Sequence, residues 1–85
     1  MDFIKEDNRI YYEDNAGKVI AEITFPEIEK GVYNIDHTFV DESLRGQGIA
    51  KQLVELAIKQ IESKNGKVQA TCSYAKKYLN DKFSK

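Results

Sequence analysis

The chain has 85 residues, of which 41% are hydrophobic and 32% are charged, a composition typical of one small globular domain. Its net charge of −1 gives no overall basic footprint for nucleic acid. The single cysteine, Cys72, excludes an intramolecular disulfide, and with only one histidine, His37, no His/Cys cluster can be assembled around a metal ion.

The first fifteen residues are charged almost throughout and lack the apolar core of a signal peptide. No apolar run is long enough to cross a membrane. There is also no repeat and no Pro/Ser-rich linker. We therefore expect residues 1–85 to form a single cytoplasmic domain with a reduced thiol, and with no membrane or nucleic-acid partner.

Two short segments near the start carry strand signals, the first in its composition and the second in its alternation of apolar and polar residues. Residues 9–13 are rich in aromatic and branched side chains, and residues 18–25 place Val19, Ala21, Ile23 and Phe25 on one face. Asn15 and Gly17 between the segments favour a tight turn. The pattern predicts an antiparallel hairpin that ends at Pro26.

Residues 32–40 alternate again and predict a third strand after a turn at Gly31. One face of this strand would carry Tyr33, Ile35, His37 and Phe39. A histidine on an apolar face is more often a hydrogen-bonded core residue than a catalytic one. The alternation therefore leaves both interpretations of His37 open.

The period then changes to that of a helix. Apolar residues recur at helical spacing from Ile49 to Ile61, and Asn65-Gly66 predicts the end of this helix. Residues 67–73 predict a fourth strand, and a second helix begins at residue 73 or 74. The predicted apolar side of the second helix carries Ala75, Leu79 and Phe83.

The resulting order, β-β-β-α-β-α, predicts an α/β (α+β) fold: a mixed four-stranded sheet with one right-handed βαβ unit. Ligands of open α/β sheets tend to bind at the carboxyl ends of parallel strands. "LRGQGIA" (residues 44–50) follows one such end, and "CSY" (residues 72–74) follows the other. The two stretches should therefore meet at one place.

The Gly-x-Gly of residues 46–48 precedes the first helix, where unpaired N–H groups and close backbone approach favour a phosphate. Arg45 adds a cation. An isolated Gly-x-Gly is nevertheless more often a plain strand-to-helix turn. The loop also lacks the Gly-Lys-Ser/Thr ending of a P-loop, and the third glycine and acidic residue of a dinucleotide fingerprint.

Arg45, Gly48 and Ala50 fill the pattern Arg/Gln-x-x-Gly-x-Gly/Ala, by which the chain resembles the GNAT superfamily of acetyl-CoA-dependent N-acetyltransferases. "DHTFV", "LRGQGIAKQLVE" and "TCSY" together are similar to the minimal, single-domain GNAT subfamily. The resemblance extends from about Arg9 to Tyr78. It implies a truncated GNAT fold, with acetyl-CoA (coenzyme A) as the cofactor.

The resemblance also implies where the cofactor binds. Backbone N–H groups of residues 46–50 would hold the pyrophosphate, and the backbone of Phe39 and Val40 would pair with the pantetheine arm. Lys76 and Lys77 would reach the phosphates, with a solvated helix face as the alternative for both. The full predicted cofactor-binding set is Phe39, Val40, Arg45, Gly46, Gln47, Gly48, Ile49, Ala50, Ser73, Lys76 and Lys77.

Four residues are catalytic candidates. The resemblance implies that Tyr78 or Tyr74 protonates the departing thiolate, and the alternative for each is a packed aromatic side chain. Cys72, at a strand end close to a helix N-terminus, is either a nucleophile that forms an acetyl-enzyme or a buried apolar residue. His37 is either a general base near Cys72 or near the amine, or a core histidine.

The function that the resemblance implies is acetyl transfer from acetyl-CoA to a small amine or a lysine side chain, by a monomer or a weak homodimer. Ordinary members have two helices between the first two strands and further strands at the end, and those parts usually build the acceptor site. Here "DNAGK" stands in place of the helices. Two alternatives therefore remain: an acyl-CoA-binding protein with little or no transfer, and a small interaction domain on the same scaffold.

Overall fold

The structure is a computed structural model that describes the backbone of residues 2–83 and the side chains of residues 2–81. The predicted apolar position of Phe83 thus lies outside the described side chains. Within this range there are seven strands, a 3-10 turn at Glu42–Leu44 and two α-helices. The strands are β1 (Ile4–Glu6), β2 (Arg9–Glu13), β3 (Val19–Thr24), β4 (Glu27–Glu29), β5 (Val32–Ile35), β6 (His37–Val40) and β7 (Lys67–Ala70), and the helices are α1 (Ile49–Ser63) and α2 (Ser73–Phe83).

The predicted α/β class and the order of the main elements are confirmed. β2 and β3 form the predicted antiparallel hairpin, and Gly17 in its turn has a φ of 83°. The sheet itself differs from the predicted four strands. The described strands form a four-stranded antiparallel sheet, β1-β2-β3-β6, and a three-stranded sheet, β4-β5-β7, in which β5 and β7 are parallel. Every residue of β1 and β4 is exposed, so alternation gave no signal for them.

The predicted third strand is divided at Asp36 by an irregularity of one residue. Thr24 lies opposite His37, and Glu27 lies opposite Tyr33. The two residues 25–26 of one segment therefore face three residues, 34–36, of the other segment. The Asp36 N–H donates to the Thr24 carbonyl at 3.2 Å. This geometry is that of a β-bulge, which reverses the alternation of every residue after it.

The reversal changes which side chains of β6 face the core. Thr38 lies opposite Ile23, and Val40 lies opposite Ala21, both of which are fully buried residues of β3. His37 and Phe39 therefore face the other side of the sheet, where the His37 side chain is 54% exposed and Phe39 is 38% exposed. The prediction that they share a face with Tyr33 and Ile35 is wrong, because the bulge intervenes.

Helix α1 packs against β2, β3, β6 and β7 and supplies much of the core. Its predicted apolar face is confirmed by six buried residues: Ile49, Leu53, Val54, Ala57, Ile58 and Ile61. Each fully buried aliphatic side chain contributes about 1.5–3 kcal/mol through its removal from water. Asn65 then takes the left-handed conformation, with a φ of 60°, and ends the helix as predicted.

No helix in the part of the chain that the structure describes has both the length and the apolar character needed to cross a membrane.

Gly66 makes the tightest backbone approach to the core. A Cβ at this position would lie 2.8 Å from the Tyr33 ring and 2.9 Å from Ile61. We predict that Gly66→Ala lowers the free energy of unfolding by about 1–3 kcal/mol through overpacking. Denaturant unfolding measures this, with the exposed Lys67→Ala as a control expected to stay within about 0.5 kcal/mol of the wild type. Equal effects of the two substitutions would contradict the packing argument.

Candidate functional site

The two parallel strands separate at the point where the bulge redirects the chain. β5 and β7 pair as far as Ile35 opposite Ala70, and the N–H groups of Thr71 and Cys72 both donate to the Ile35 carbonyl at 3.1 Å. Beyond this point β6 pairs with β3 instead and forms an edge of its sheet. One edge of β6 therefore faces a gap, which we call the cleft.

The hydrogen-bonding pattern fixes which backbone groups of β6 point into the cleft. The Asp41 N–H donates to the Ile20 carbonyl at 2.8 Å, and alternate residues of an antiparallel strand direct their N–H and C=O groups toward the same neighbour. The backbone of Phe39 thus faces β3, while Thr38 and Val40 present theirs to the cleft. This register argues against the predicted pairing of the Phe39 backbone with an extended ligand, because the bulge shifts the phase of the strand by one residue.

The cleft has a volume of about 390 Å³ and extends from β6 to the start of α1 and of α2. Its lining residues are Thr38, Val40, Leu44, Arg45, Gly46, Gly48, Ile49, Ala50, Lys51 and Tyr74. Seven of these belong to the predicted site: Val40, Arg45, Gly46, Gly48, Ile49, Ala50 and Tyr74. Thr38, Leu44 and Lys51 were not predicted. Eight predicted residues are not among the lining residues: His37, Phe39, Gln47, Cys72, Ser73, Lys76, Lys77 and Tyr78. Cys72 is nevertheless adjacent to the cleft, because its sulfur contacts the lining residue Thr38.

The glycine loop opens onto this cleft in an uncrowded conformation that favours glycine. Gly46 and Gly48 have φ values of 83° and 70°, and nothing lies within 4 Å of the place where a Cβ would be. Gly48 is the N-cap of α1 and has no side chain that could accept from the first N–H groups of the helix. These N–H groups and the partial positive charge of the helix N-terminus suit an anion.

The chain that enters the loop is held by Asp41. The backbone N–H and the hydroxyl of Ser43 donate to the Asp41 carboxylate at 3.0 and 2.7 Å, which caps the 3-10 turn. These two hydrogen bonds, the one from the hydroxyl first, hold the pKa of Asp41 below its ordinary value. The Arg45 N–H then donates to the Glu42 carbonyl at 3.1 Å, so the turn leads directly into the first glycine.

Cys72 lies between β7 and α2, half-buried, with its sulfur 3.4 Å from the hydroxyl oxygen of Thr38, which lines the cleft. Burial of the thiol raises its pKa. Hydrogen bonds from the Thr38 hydroxyl and from the backbone N–H groups of Ala75, Tyr74 and Thr38 outweigh this, so the pKa of Cys72 lies below its ordinary value. Cys72 is therefore more ionised at neutral pH than an ordinary thiol.

His37 occupies the opposite face of the sheet. Its Nε2 lies 3.6 Å from the Glu22 carboxylate, which also pairs with the Arg9 guanidinium. Arg9 in turn stacks on the Tyr11 ring at 3.7 Å. His37 is therefore not a core residue, and the side chain that β6 directs at Cys72 belongs to Thr38. The cause is again the bulge at Asp36. A role of His37 as a general base near the amine stays a prediction.

The two tyrosine candidates have different surroundings. Tyr74 lines the cleft and is 42% exposed. Tyr78, one turn later, donates its hydroxyl to the Glu55 carboxylate on α1 at 3.0 Å. Burial and then Glu55 raise the pKa of Tyr78 above its ordinary value. Of the pair, only Tyr74 is a lining residue of the cleft.

A larger cavity of about 650 Å³ lies between the second half of α1, β7 and α2, away from the glycine loop. Its lining residues are Ile58, Glu62, Gly66, Lys67, Val68, Leu79 and Asn80, and none of them is a predicted site residue. Its lining residues also include no helix N-terminus of the kind that opens onto the smaller cleft. We therefore take the smaller cleft as the candidate site.

Comparisons with known proteins agree with this architecture. The family profile described as GCN5-related N-acetyl-transferase matches residues 9–84. Protein NATD1 of Homo sapiens is 31% identical over 61 residues, which are 72% of this chain and 54% of that protein. NATD1 of Gallus gallus matches at the same identity over 72% of this chain and 56% of its own length. The chain thus spans about half the length of these relatives.

Solved structures give the same result. The solution structure of a GCN5-like protein from Staphylococcus aureus superimposes with a TM-score of 0.80 at 34% identity, over 98% of this chain and 81% of that one. Glucosamine-6-phosphate N-acetyltransferase from Arabidopsis thaliana shares the fold, with a TM-score of 0.60 at 23% identity over 89% of this chain and 58% of that one. With its profile match over residues 9–84, the chain is a member of the GCN5-related N-acetyltransferase family.

Proposed function

We propose that this protein is an acetyl-CoA-dependent N-acetyltransferase acting on an amine. The observation that carries the proposal is the joining of two features in one cleft. A glycine loop at the N-terminus of α1 forms one end, and the free edge of β6 leads from there toward Cys72. An elongated ligand with a phosphate group at one end and a reactive acyl group at the other fits this order of groups.

The loop fits the pyrophosphate of coenzyme A. Space is open around Gly46 and Gly48, so a phosphate oxygen can approach the backbone closely. Arg45 and Lys51 line the same end of the cleft and supply positive charge. Lys76 and Lys77 are exposed on α2 and stay candidates for the outer phosphates, with a solvated helix face as the alternative.

The edge of β6 suits the pantetheine arm. The arm contains amide groups. The backbone of Val40 and the carbonyl of Thr38 face the cleft, where none of the described strands pairs with them, while the Thr38 N–H is directed to the Cys72 sulfur. Pairing of the arm with these groups resembles the addition of a strand to a sheet edge. Thr38 takes the place that the sequence assigned to Phe39, and Val40 keeps its predicted role.

When bound, acetyl-CoA supplies an activated thioester. Cys72 is the nucleophile in the proposed route: its thiolate attacks the acetyl carbonyl carbon, and the bond from that carbon to the sulfur of coenzyme A breaks. Tyr74 gives its proton to the departing thiolate. The amine then attacks the acetyl-cysteine, Cys72 leaves as a thiolate, and a proton of the amine returns to Tyr74.

The low pKa and half-exposed position of Cys72 favour this route over direct attack by the amine on the thioester. Direct attack, in which a backbone N–H of β6 polarises the carbonyl, is the alternative within the same function. An acyl-CoA-binding protein with little or no transfer is the alternative outside it. The experiments below separate these cases.

The first prediction concerns Cys72. Incubation with acetyl-CoA without an amine should add one acetyl group to the wild type, located at Cys72 by mass spectrometry. Cys72→Ala should bind acetyl-CoA normally in a calorimetric titration but lose the acetyl adduct and at least about a hundredfold in turnover over a library of amines. Unchanged turnover in Cys72→Ala would establish direct attack. Binding without turnover of any amine in the wild type would favour the acyl-CoA-binding alternative.

The second prediction concerns the glycine loop. Gly48→Ala should weaken acetyl-CoA binding by about 10–100-fold, because strain at the loop displaces N–H groups that hold a charged phosphate. Gly17→Ala is the matched control, since Gly17 has a similar φ of 83°, equally open space and a place outside the cleft. Both variants should lose similar stability in thermal unfolding. Equal affinity of the two variants for acetyl-CoA would contradict the placement of the pyrophosphate.

The third prediction separates the tyrosines. Tyr74→Phe should lower kcat by about a hundredfold through loss of the proton donor. Tyr78→Phe should instead cost about 1 kcal/mol of stability, because it loses the hydrogen bond to Glu55, and should keep kcat within about threefold of the wild type. Steady-state kinetics and denaturant unfolding of both variants provide the comparison. A larger loss of kcat in Tyr78→Phe would reverse the assignment.

A further inference from the structure

Thr38 approaches Cys72 from a different sheet of the molecule. It belongs to β6, and Cys72 follows β7, 34 residues later in the chain. Its hydroxyl oxygen lies 3.4 Å from the sulfur, and the Thr38 side chain itself lines the cleft. The contact therefore spans the gap between the two diverging strands and places the Cys72 sulfur beside a lining residue of the cleft.

Apart from Tyr74, which lines the cleft together with Arg45 and Lys51, the charged and titratable groups around this contact have other partners or are exposed. From the β5–β6 side, Asp36 accepts the hydroxyl of Thr24, and His37 pairs with Glu22 on the opposite face of the sheet. From α2, Lys76 contacts Cys72 through its backbone N–H, which donates to the Cys72 carbonyl at 2.8 Å. Tyr74 and Lys77 are exposed residues of that helix. Burial of the sulfur raises the pKa of Cys72. Hydrogen bonds to the sulfur, with the one from the Thr38 side chain first, lower that pKa.

We propose that Thr38 is the positioning residue of Cys72, whose sulfur its hydroxyl holds at the end of the cleft in both ionisation states. The thiol donates its S–H to the Thr38 oxygen. When the proton has passed to solvent, the Thr38 hydroxyl rotates and donates to the thiolate. A hydrogen bond to an ionised group is stronger than one between neutral groups, so the exchange stabilises the thiolate.

The proposal rests on the proposed function, in which this thiolate attacks the thioester. The bond from sulfur to the acetyl carbon forms as the bond from that carbon to coenzyme A breaks, and coenzyme A leaves as a thiolate that takes a proton. Thr38 gains and loses no atom in this step. It acts through Cys72, by fixing where the sulfur lies and how readily it ionises.

The test measures the alkylation rate of the free protein by iodoacetamide as a function of pH. Cys72 is the single cysteine of the chain, so the rate reports on one thiol. Thr38→Val keeps the branched shape and removes the hydroxyl. We expect its profile to move to higher pH and its rate at neutral pH to fall roughly three- to tenfold. Thr38→Ser keeps a hydroxyl and should follow the wild type.

Thr24→Val is the matched control, because Thr24 is another sheet threonine whose hydroxyl is used on the opposite face, by Asp36. Its alkylation profile should stay that of the wild type. A profile of Thr38→Val that coincides with the wild type would overturn the proposal, as would an equal shift in Thr38→Ser. Thermal unfolding checks that each variant is folded. If Thr38→Val does not fold, Thr38→Ala replaces it, with the same expected shift of the alkylation profile to higher pH.

A second readout connects the contact to acetyl transfer. Single-turnover acetylation of Cys72 should slow in Thr38→Val by the same factor at neutral pH and recover at high pH, where the thiol is ionised in both proteins. A merely structural defect would not recover with pH. The alkylation profile needs no acetyl-CoA, so failure of the wild type to accept acetyl at Cys72 refutes the acetyl-enzyme route of the proposed function and leaves the positioning test intact.

Discussion

One extra residue in a strand, the β-bulge at Asp36, determines the geometry of the candidate site. Without it, residues 32–40 would continue as a single strand beside both β3 and β7, and no gap would separate them. With it, β5 pairs with β7 while β6 pairs with β3, and the ladder ends at the carbonyl of Ile35. The cleft is the space that this divergence leaves, so its existence depends on an irregularity rather than on a loop.

The regular elements around the bulge keep the cleft open at the right place. α1 is anchored by a continuous buried face, and its N-terminus brings Gly48 to one end of the free edge of β6. At the other end, Asn34 donates its side-chain amide to the Thr71 hydroxyl at 3.0 Å, directly before Cys72. Because both ends are tied to packed elements, the distance between glycine loop and sulfur is set by the core and not by flexible chain.

Periodicity in the sequence predicts the elements well where burial imposes it. β2 begins and ends as predicted, the hairpin forms at Gly17, and α1 buries the face that its spacing indicated. β1 and β4 were missed because exposed strands of three residues carry no pattern, and only backbone pairing defines them. The local signals of composition and spacing therefore specify the core, while short edge strands depend on contacts that composition does not encode.

The sequence likewise predicts only those parts of the candidate site that carry a local signal. The glycine loop has local signals, two glycines before a helix, and the structure gives both of them the positive φ that favours glycine. The bulge has none, since the apolar alternation of Tyr33 and Ile35 continues without interruption into His37 and Phe39. Thr38 was missed for the same reason, because its importance lies in a contact with a residue 34 positions away.

The exchange of His37 for Thr38 also changes the chemistry that the cleft supports. A histidine beside the sulfur would take its proton, and reactivity would then follow the titration of the imidazole. A hydroxyl and the backbone N–H groups of Thr38, Tyr74 and Ala75 accept no proton from the thiol, so they stabilise the thiolate through their dipoles instead. The backbone dipoles are already oriented when the charge appears, and the hydroxyl only has to rotate. The effect of these dipoles does not depend on a second group being in the correct ionisation state. The bulge that opens the cleft thus also places the Thr38 hydroxyl beside Cys72 in place of the titrating imidazole of His37.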